Sequence, residues 1–269
     1  ERASCGALKP VPRGSKAAVG GLAPIVVVDL LYAGGEARQG VMAAAFNLPN
    51  DPWVRGNVGW KQVMIRNVMR AKFETATAPI ARAVLENSTA SFDPYFSFVL
   101  FHEVSHGLGP AYRADGSDVA ASLGADYTAI EEAKADTGSL HILLSMGGKA
   151  GVPRYETGAI LDSHVAGLFR SMRFGLAEAH GAANLIEFNW DFEKGVFGWD
   201  GAGKLVTNPG KLAEATAGLL DRLCDIEAGA SLAEADAFVE RYRRVTPELK
   251  AAVARLDSIP TDIRARFAL

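Results

Sequence analysis

The stretch F-D-P-Y-F-S-F-V-L-F-H-E-V-S-H, residues 92–106, holds a helix start, an apolar body and a cluster of ionisable groups in one element. Asp93 reads as an N-cap and Pro94 as the first helical position. The helix is expected to stop at Gly107, with Gly109-Pro110 barring continuation. Tyr95, Phe96, Phe98, Val99, Leu100 and Phe101 make it apolar nearly all round, so it belongs in an interior. His102, Glu103 and His106 then need partners, because an unpaired ionisable group is expensive to bury. Histidines at i and i+4 share a face, so His102 and His106 can reach one ion. Glu103 lies on the same turn, where it can take a proton from a metal-bound water. With five histidines in the chain, chance predicts on the order of 0.01 such motifs.

Two histidines leave a tetrahedral zinc one protein ligand short. Downstream, E-E-A-K-A-D (residues 131–136) offers acids on a second helix, expected over about 128–146 and closed by Gly147-Gly148. Glu132 and Asp136 share a face. Glu132 is read as the third ligand, and Asp136 as the acid that orients a ligand histidine from behind. Glu131 is the other acid placed behind the ligands. It has a competing job, because T-A-I-E (128–131) fits a capping box in which it reaches back to the helix start.

Around these helices the chain reads as mainly α with a small β element, an α+β fold. Residues 1–24 are rich in Gly, Pro, Ala and Ser and form an irregular lead-in, and residues 25–269 read as a single catalytic domain. The apolar runs 25–33 and 41–48 read as strands that pair. From Trp60 the pattern is helical, with Val63, Met64, Asn67, Val68 and Ala71 on one face. Residues 111–127 read as a loop, and 162–194 as one long helix that starts beside His164. The runs 196–200 and 204–208 form a short hairpin. Helices with breaks at Pro247 and Pro260 complete the chain.

The balance of 28 basic and 31 acidic side chains, net −3, is spread over 269 residues with 49% hydrophobic content. Gripping nucleic acid or an anionic membrane needs a basic excess, so neither is an expected partner. No apolar run approaches the ~18–20 residues that span a bilayer. Cys5 and Cys224 allow at most one bridge. The chain opens without Met and shows no signal-peptide pattern, so a trimmed product is expected. Cytoplasm is the favoured location, with periplasm the alternative if an upstream signal was removed.

Taken together, H-E-V-S-H-G-L-G-P and E-E-A-K-A-D resemble the dipeptidyl peptidase III family of zinc metallopeptidases, in the five-residue spacing of its bacterial and plant-like branch. A-F-N-L-P-N-D (45–51) is similar to the family segment whose two asparagines grip the substrate peptide near its N-terminal end, which implies that role for Asn47 and Asn50. Without the resemblance, the same residues around Pro49 are turn chemistry. E-A-H-G-A-A-N (178–184) is similar to a later active-site segment and implies a transition-state role for His180. Asn184 stands where the family carries an arginine. The family works as two lobes closing on a peptide, with a tyrosine supplied by an upstream lobe. The resemblance therefore implies that this chain is the helical, zinc-bearing lobe, and that an N-terminal lobe of the same protein is a further partner. Tyr32, in a predicted strand, stands too close to the asparagine segment to replace that tyrosine.

The expected activity is zinc-dependent hydrolysis of short peptides with release of N-terminal dipeptides, with one Zn²⁺ per chain. The rival reading is a zinc-binding regulatory module that holds a peptide or protein with little turnover. Plant relatives join such a domain to a Nudix pyrophosphohydrolase. No stretch here resembles the Gly- and Glu-rich Nudix box, so nucleotide hydrolysis is not expected.

Overall fold

A computed structural model describes residues 25–35, 42–48, 61–106, 108–109, 112–176 and 178–264. Its first sheet is built from β1 (Ile25–Val28), β2 (Ala45–Leu48) and β3 (Lys61–Ile65). The strand order is β1-β3-β2, parallel between β1 and β3 and antiparallel between β2 and β3. The two expected strands are thus shorter than read, and each pairs with β3 rather than with the other. β3 itself corrects the sequence reading, which had residues 61–65 in a helix. K-Q-V-M-I carries apolar residues at both spacings, and the pairing partners on either side settle it as strand. Tyr32 lies beyond the end of β1, in irregular chain.

Helix α1 (Arg66–Lys72) follows at once and continues through a π turn (Phe73–Thr77) into α2 (Ala78–Val84). Helix α3 (Phe92–Ser105) carries the histidines and ends with His106 as its C-cap. Its N-cap is Ser91, not Asp93. Asp93 sits in the first turn, facing Arg66 at 3.5 Å on the surface, and Pro94 is tolerated there because first-turn amides have no helical acceptor. Gly107 lies outside the described residues.

The stretch read as a loop holds α4 (Val119–Leu123), with Asp118 accepting from the Ala121 amide as a true N-cap. Helix α5 (Tyr127–Met146) follows the expected bounds within a residue. Nearly everything from Ala129 to Leu143 is buried, so α5 runs through the middle of the molecule. It packs closely on α3 because Gly138 has no side chain: a Cβ there would come within 2.9 Å of Ser105 Oγ and 3.1 Å of its Cβ.

The long helix expected over 162–194 is two, α6 (Thr157–Met172) and α7 (Ala179–Glu193). Gly175 breaks it with φ +137°, a conformation open to glycine. Gly181, early in α7, is required because a Cβ there would collide with the Gly175 carbonyl oxygen at 2.0 Å. The hairpin β4 (Phe197–Trp199) and β5 (Leu205–Thr207) matches its prediction. Helices α8 (Pro209–Gly229), α9 (Leu232–Tyr242) and α10 (Pro247–Ala254) close the described chain. The main core lies between α2, α3 and the helices α5 to α10. A smaller aromatic cluster of Phe73, Phe92, Tyr95 and Phe96 seats the three-stranded sheet on α3. The result is a mainly helical fold with two small sheets, and no described helix is long and apolar enough to cross a membrane.

Candidate metal centre

Helices α3 and α5 cross so that the histidines of one meet the acids of the other. His102 Nδ1 bonds Asp136 Oδ1 at 2.6 Å, and His106 Nδ1 bonds Glu131 Oε2 at 2.7 Å. Each imidazole is thereby fixed with Nε2 turned inward, and the two Nε2 atoms stand 2.9 Å apart. Glu132 Oε2 faces them at 3.5 and 3.8 Å. That oxygen is shut off from solvent and accepts no hydrogen bond. Ligand atoms around a tetrahedral ion with ~2.0–2.2 Å bonds lie roughly 3.3–3.6 Å apart. Two inward lone pairs and an orphaned carboxylate oxygen on one point fit a divalent cation. His102, His106 and Glu132 are a candidate metal-binding triad among the described residues.

Electrostatics agree with this geometry. Burial works against charge on His102, but Asp136 above all, with Glu132 and Glu103, raises its pKa to about 9. Burial would raise Glu131 and Asp136, yet their histidine partners hold both carboxyls below the ordinary range. At Glu132 burial outweighs the opposing pull of His180, His102 and His106, and its pKa is raised.

Each supporting acid has its own support. Asn184 Nδ2 donates to Asp136 Oδ2 at 3.2 Å and to Glu187 Oε1 at 3.4 Å. Lys134 Nζ lies 3.5 Å from Glu131 Oε1 and 3.3 Å from Glu227 Oε1 on α8, all three buried or nearly so. Glu131 therefore does not close a capping box: the α5 N-cap is Asp126, with no side-chain cap bond. His164 is not at a helix start either. It is fully buried in the middle of α6, 3.7 Å from Glu187 and 3.9 Å from Asp191, and burial lowers its pKa to about 4.

Glu103 takes a hydrogen bond from Gln62 Nε2, at 3.2 Å to Oε2, while the same amide donates to the Glu103 carbonyl at 2.9 Å. Gln62 lies on β3 directly opposite Asn47 of β2 in register, so the strand holding Asn47 is anchored beside the centre. Asn50 lies outside the described residues. His180, in the first turn of α7, is exposed but brings Nε2 to 3.3 Å from Glu132 Oε2. One cavity of about 180 Å³ touches His102, Glu103 and His180.

Sequence reasoning missed Gln62, Lys134, Asn184 as a hydrogen-bond donor, and the Glu187–Asp191–His164 group. Lys134 was legible as a cation inside an acidic run on a buried helix. Gln62 was hidden by the misread of β3.

No family model matches the chain. Nudix hydrolase 3 of Arabidopsis thaliana is 33% identical over 256 residues, which is 92% of this chain and 33% of that protein. The solved structure of DPP III from Caldithrix abyssi superposes with a TM-score of 0.86 at 36% identity, covering 91% of this chain and 48% of that one. Dipeptidyl-peptidase III from Corallococcus sp. strain EGB gives 0.79 at 33%, covering 91% and 47%. The chain thus spans about a third of the curated relative and about half of the solved structures. It is a structural homologue of the bacterial dipeptidyl-peptidase III enzymes.

Proposed function

We propose that this chain is the zinc-bearing lobe of a metallopeptidase that releases dipeptides from the N-termini of short peptides, with one Zn²⁺ held by His102, His106 and Glu132. The observation that carries this reading is the convergence of two inward Nε2 atoms and the orphaned Glu132 oxygen beside an unligated glutamate. Likeness to two solved dipeptidyl-peptidase III structures supports it. When bound, zinc lowers the pKa of a water toward ~7 and polarises the scissile carbonyl.

The rest of the chemistry belongs to the chain's own groups. Glu103 accepts the proton of the attacking water and returns it to the leaving amine. The Gln62 amide holds that carboxylate in place. His180, exposed at the cavity mouth, donates to the oxygen that gains charge as the carbonyl is attacked. Asn47 and Asn50 hold the N-terminal end of the peptide, and a second lobe outside this chain closes over it.

The test is hydrolysis of a dipeptidyl-naphthylamide by wild type and Glu103→Gln, with zinc content measured in both. Both proteins should carry one zinc, and the variant should lose ~10²–10⁴ in rate. Zinc held with no turnover by wild type, alone or joined to its second lobe, would favour the regulatory reading instead.

A further inference from the structure

The cavity that touches His102, Glu103 and His180 is also walled by Lys72, Arg170 and Ser171. These cations differ in their partners. Lys72 is nearly buried and tied to Asp262 at 2.8 Å, and Asp262 also takes the Met42 amide at 2.9 Å. Arg173, one turn beyond Arg170, spends its guanidinium on the carbonyls of Ile259 and Pro260. Arg170 has no such partner among the described residues: its Nε is closed off from solvent without an acceptor. Its guanidinium carbon lies 5.2 Å from the Phe174 ring, a contact that orients a cation without neutralising it.

Neighbouring charge makes the vacancy in acceptors more pronounced. Burial lowers Lys72, and Arg170 adds to that effect while Asp262 opposes it. Burial also lowers Arg173, against Asp257 and with Arg170 again contributing. Arg170 is thus felt as like charge by both Lys72 and Arg173. A buried donor in this position is costly unless something supplies an acceptor.

We propose that Arg170 is a subsite for a carboxylate of the bound peptide, on the wall of the cavity that touches His102, Glu103 and His180. The proposal rests on the peptidase reading above. Its guanidinium lines the cavity and forms no ion pair with an acid among the described residues, and a planar fork of donors suits a planar carboxylate. The carboxylate can be the peptide's C-terminus or an acidic side chain, and the test separates these sources.

Binding is measured by calorimetry with the zinc-loaded Glu103→Gln chain, which leaves the peptide uncut. The probes are tetra-alanine as free acid, tetra-alanine amide, and amidated tetrapeptides with Glu in place of Ala at the third or fourth position. The free acid, or one Glu peptide, should bind about 10–100-fold tighter than tetra-alanine amide. Whichever does so identifies the source. Arg170→Met should remove the preference by weakening the acidic peptide alone, and Arg170→Lys should keep part of it. Zinc content and circular dichroism check that both variants are folded. Equal affinity of acidic and amidated peptides for the chain with Arg170 intact would overturn the subsite while leaving the peptidase reading in place. Failure of every peptide to bind the zinc-loaded chain, both alone and joined to its second lobe, would overturn both.

Discussion

His106 Nδ1 and Glu131 Oε2 lie 2.7 Å apart across the α3–α5 crossing, matching the 2.6 Å pair of His102 with Asp136. On sequence Glu131 stood between two duties, support behind the ligands and a helix cap whose loss would cost about 0.5–2 kcal/mol of stability. Its place behind His106 predicts a different outcome. Glu131→Ala should lower zinc affinity by ~10–100-fold, as should Asp136→Ala. Competition with a chromophoric chelator reads this directly. Unchanged affinity in Glu131→Ala, with only a lower melting temperature, would return that residue to the capping role.

Gly138 sets how closely α5 approaches the histidine helix. Because a methyl there would meet Ser105 Oγ at 2.9 Å, Gly138→Ala should destabilise the fold by about 1–3 kcal/mol. Adding Ser105→Ala removes the nearer atom and should restore part of the loss. Denaturant unfolding of the single and double variants checks both statements. No cost in Gly138→Ala would mean that the helices part without penalty.

The site was legible to different depths. Spacing alone placed His102, Glu103 and His106 on one buried helix, because i, i+4 geometry is local. The same logic singled out Glu132 and Asp136, which the structure brings to that helix. Residues whose position depends on tertiary packing were not legible. Gln62 reaches Glu103 only because β3 inserts between β1 and β2, and K-Q-V-M-I satisfies helical and strand periods alike. Residues 162–194 read as one helix because the break rests on Gly175 and on the tight crossing at Gly181, neither of which disturbs the apolar period. The group behind Asp136 was hidden for a similar reason: Glu187 and Asp191 have the spacing of an ordinary polar helix face, yet both are buried.

That buried group makes stability depend on pH. Burial pushes Asp191 up from the ordinary aspartate value to about 8, so the folded chain favours its neutral form. The stabilisation is fully present below the unfolded pKa near 4 and is lost as pH rises through about 8, because the folded state binds the extra proton over that interval. Burial also raises Glu227, to about 7, in the same sense. His164, lowered to about 4 by burial, acts in the opposite sense below its unfolded value near 6.5, so the melting temperature should fall most steeply between about pH 6.5 and 8, and Asp191→Asn should reduce the fall without abolishing it. An identical pH profile for the variant would show that Asp191 is ionised in the fold at little cost.

The central claim is that His102, His106 and Glu132 hold one zinc ion. Anomalous diffraction from zinc-loaded crystals tests it most directly. One strong peak should lie about 2.0–2.2 Å from His102 Nε2, His106 Nε2 and a Glu132 carboxylate oxygen. It should be absent from His102→Ala/His106→Ala crystals treated alike. A peak bound elsewhere, no peak in the wild type, or an undiminished peak in the double variant would contradict the account.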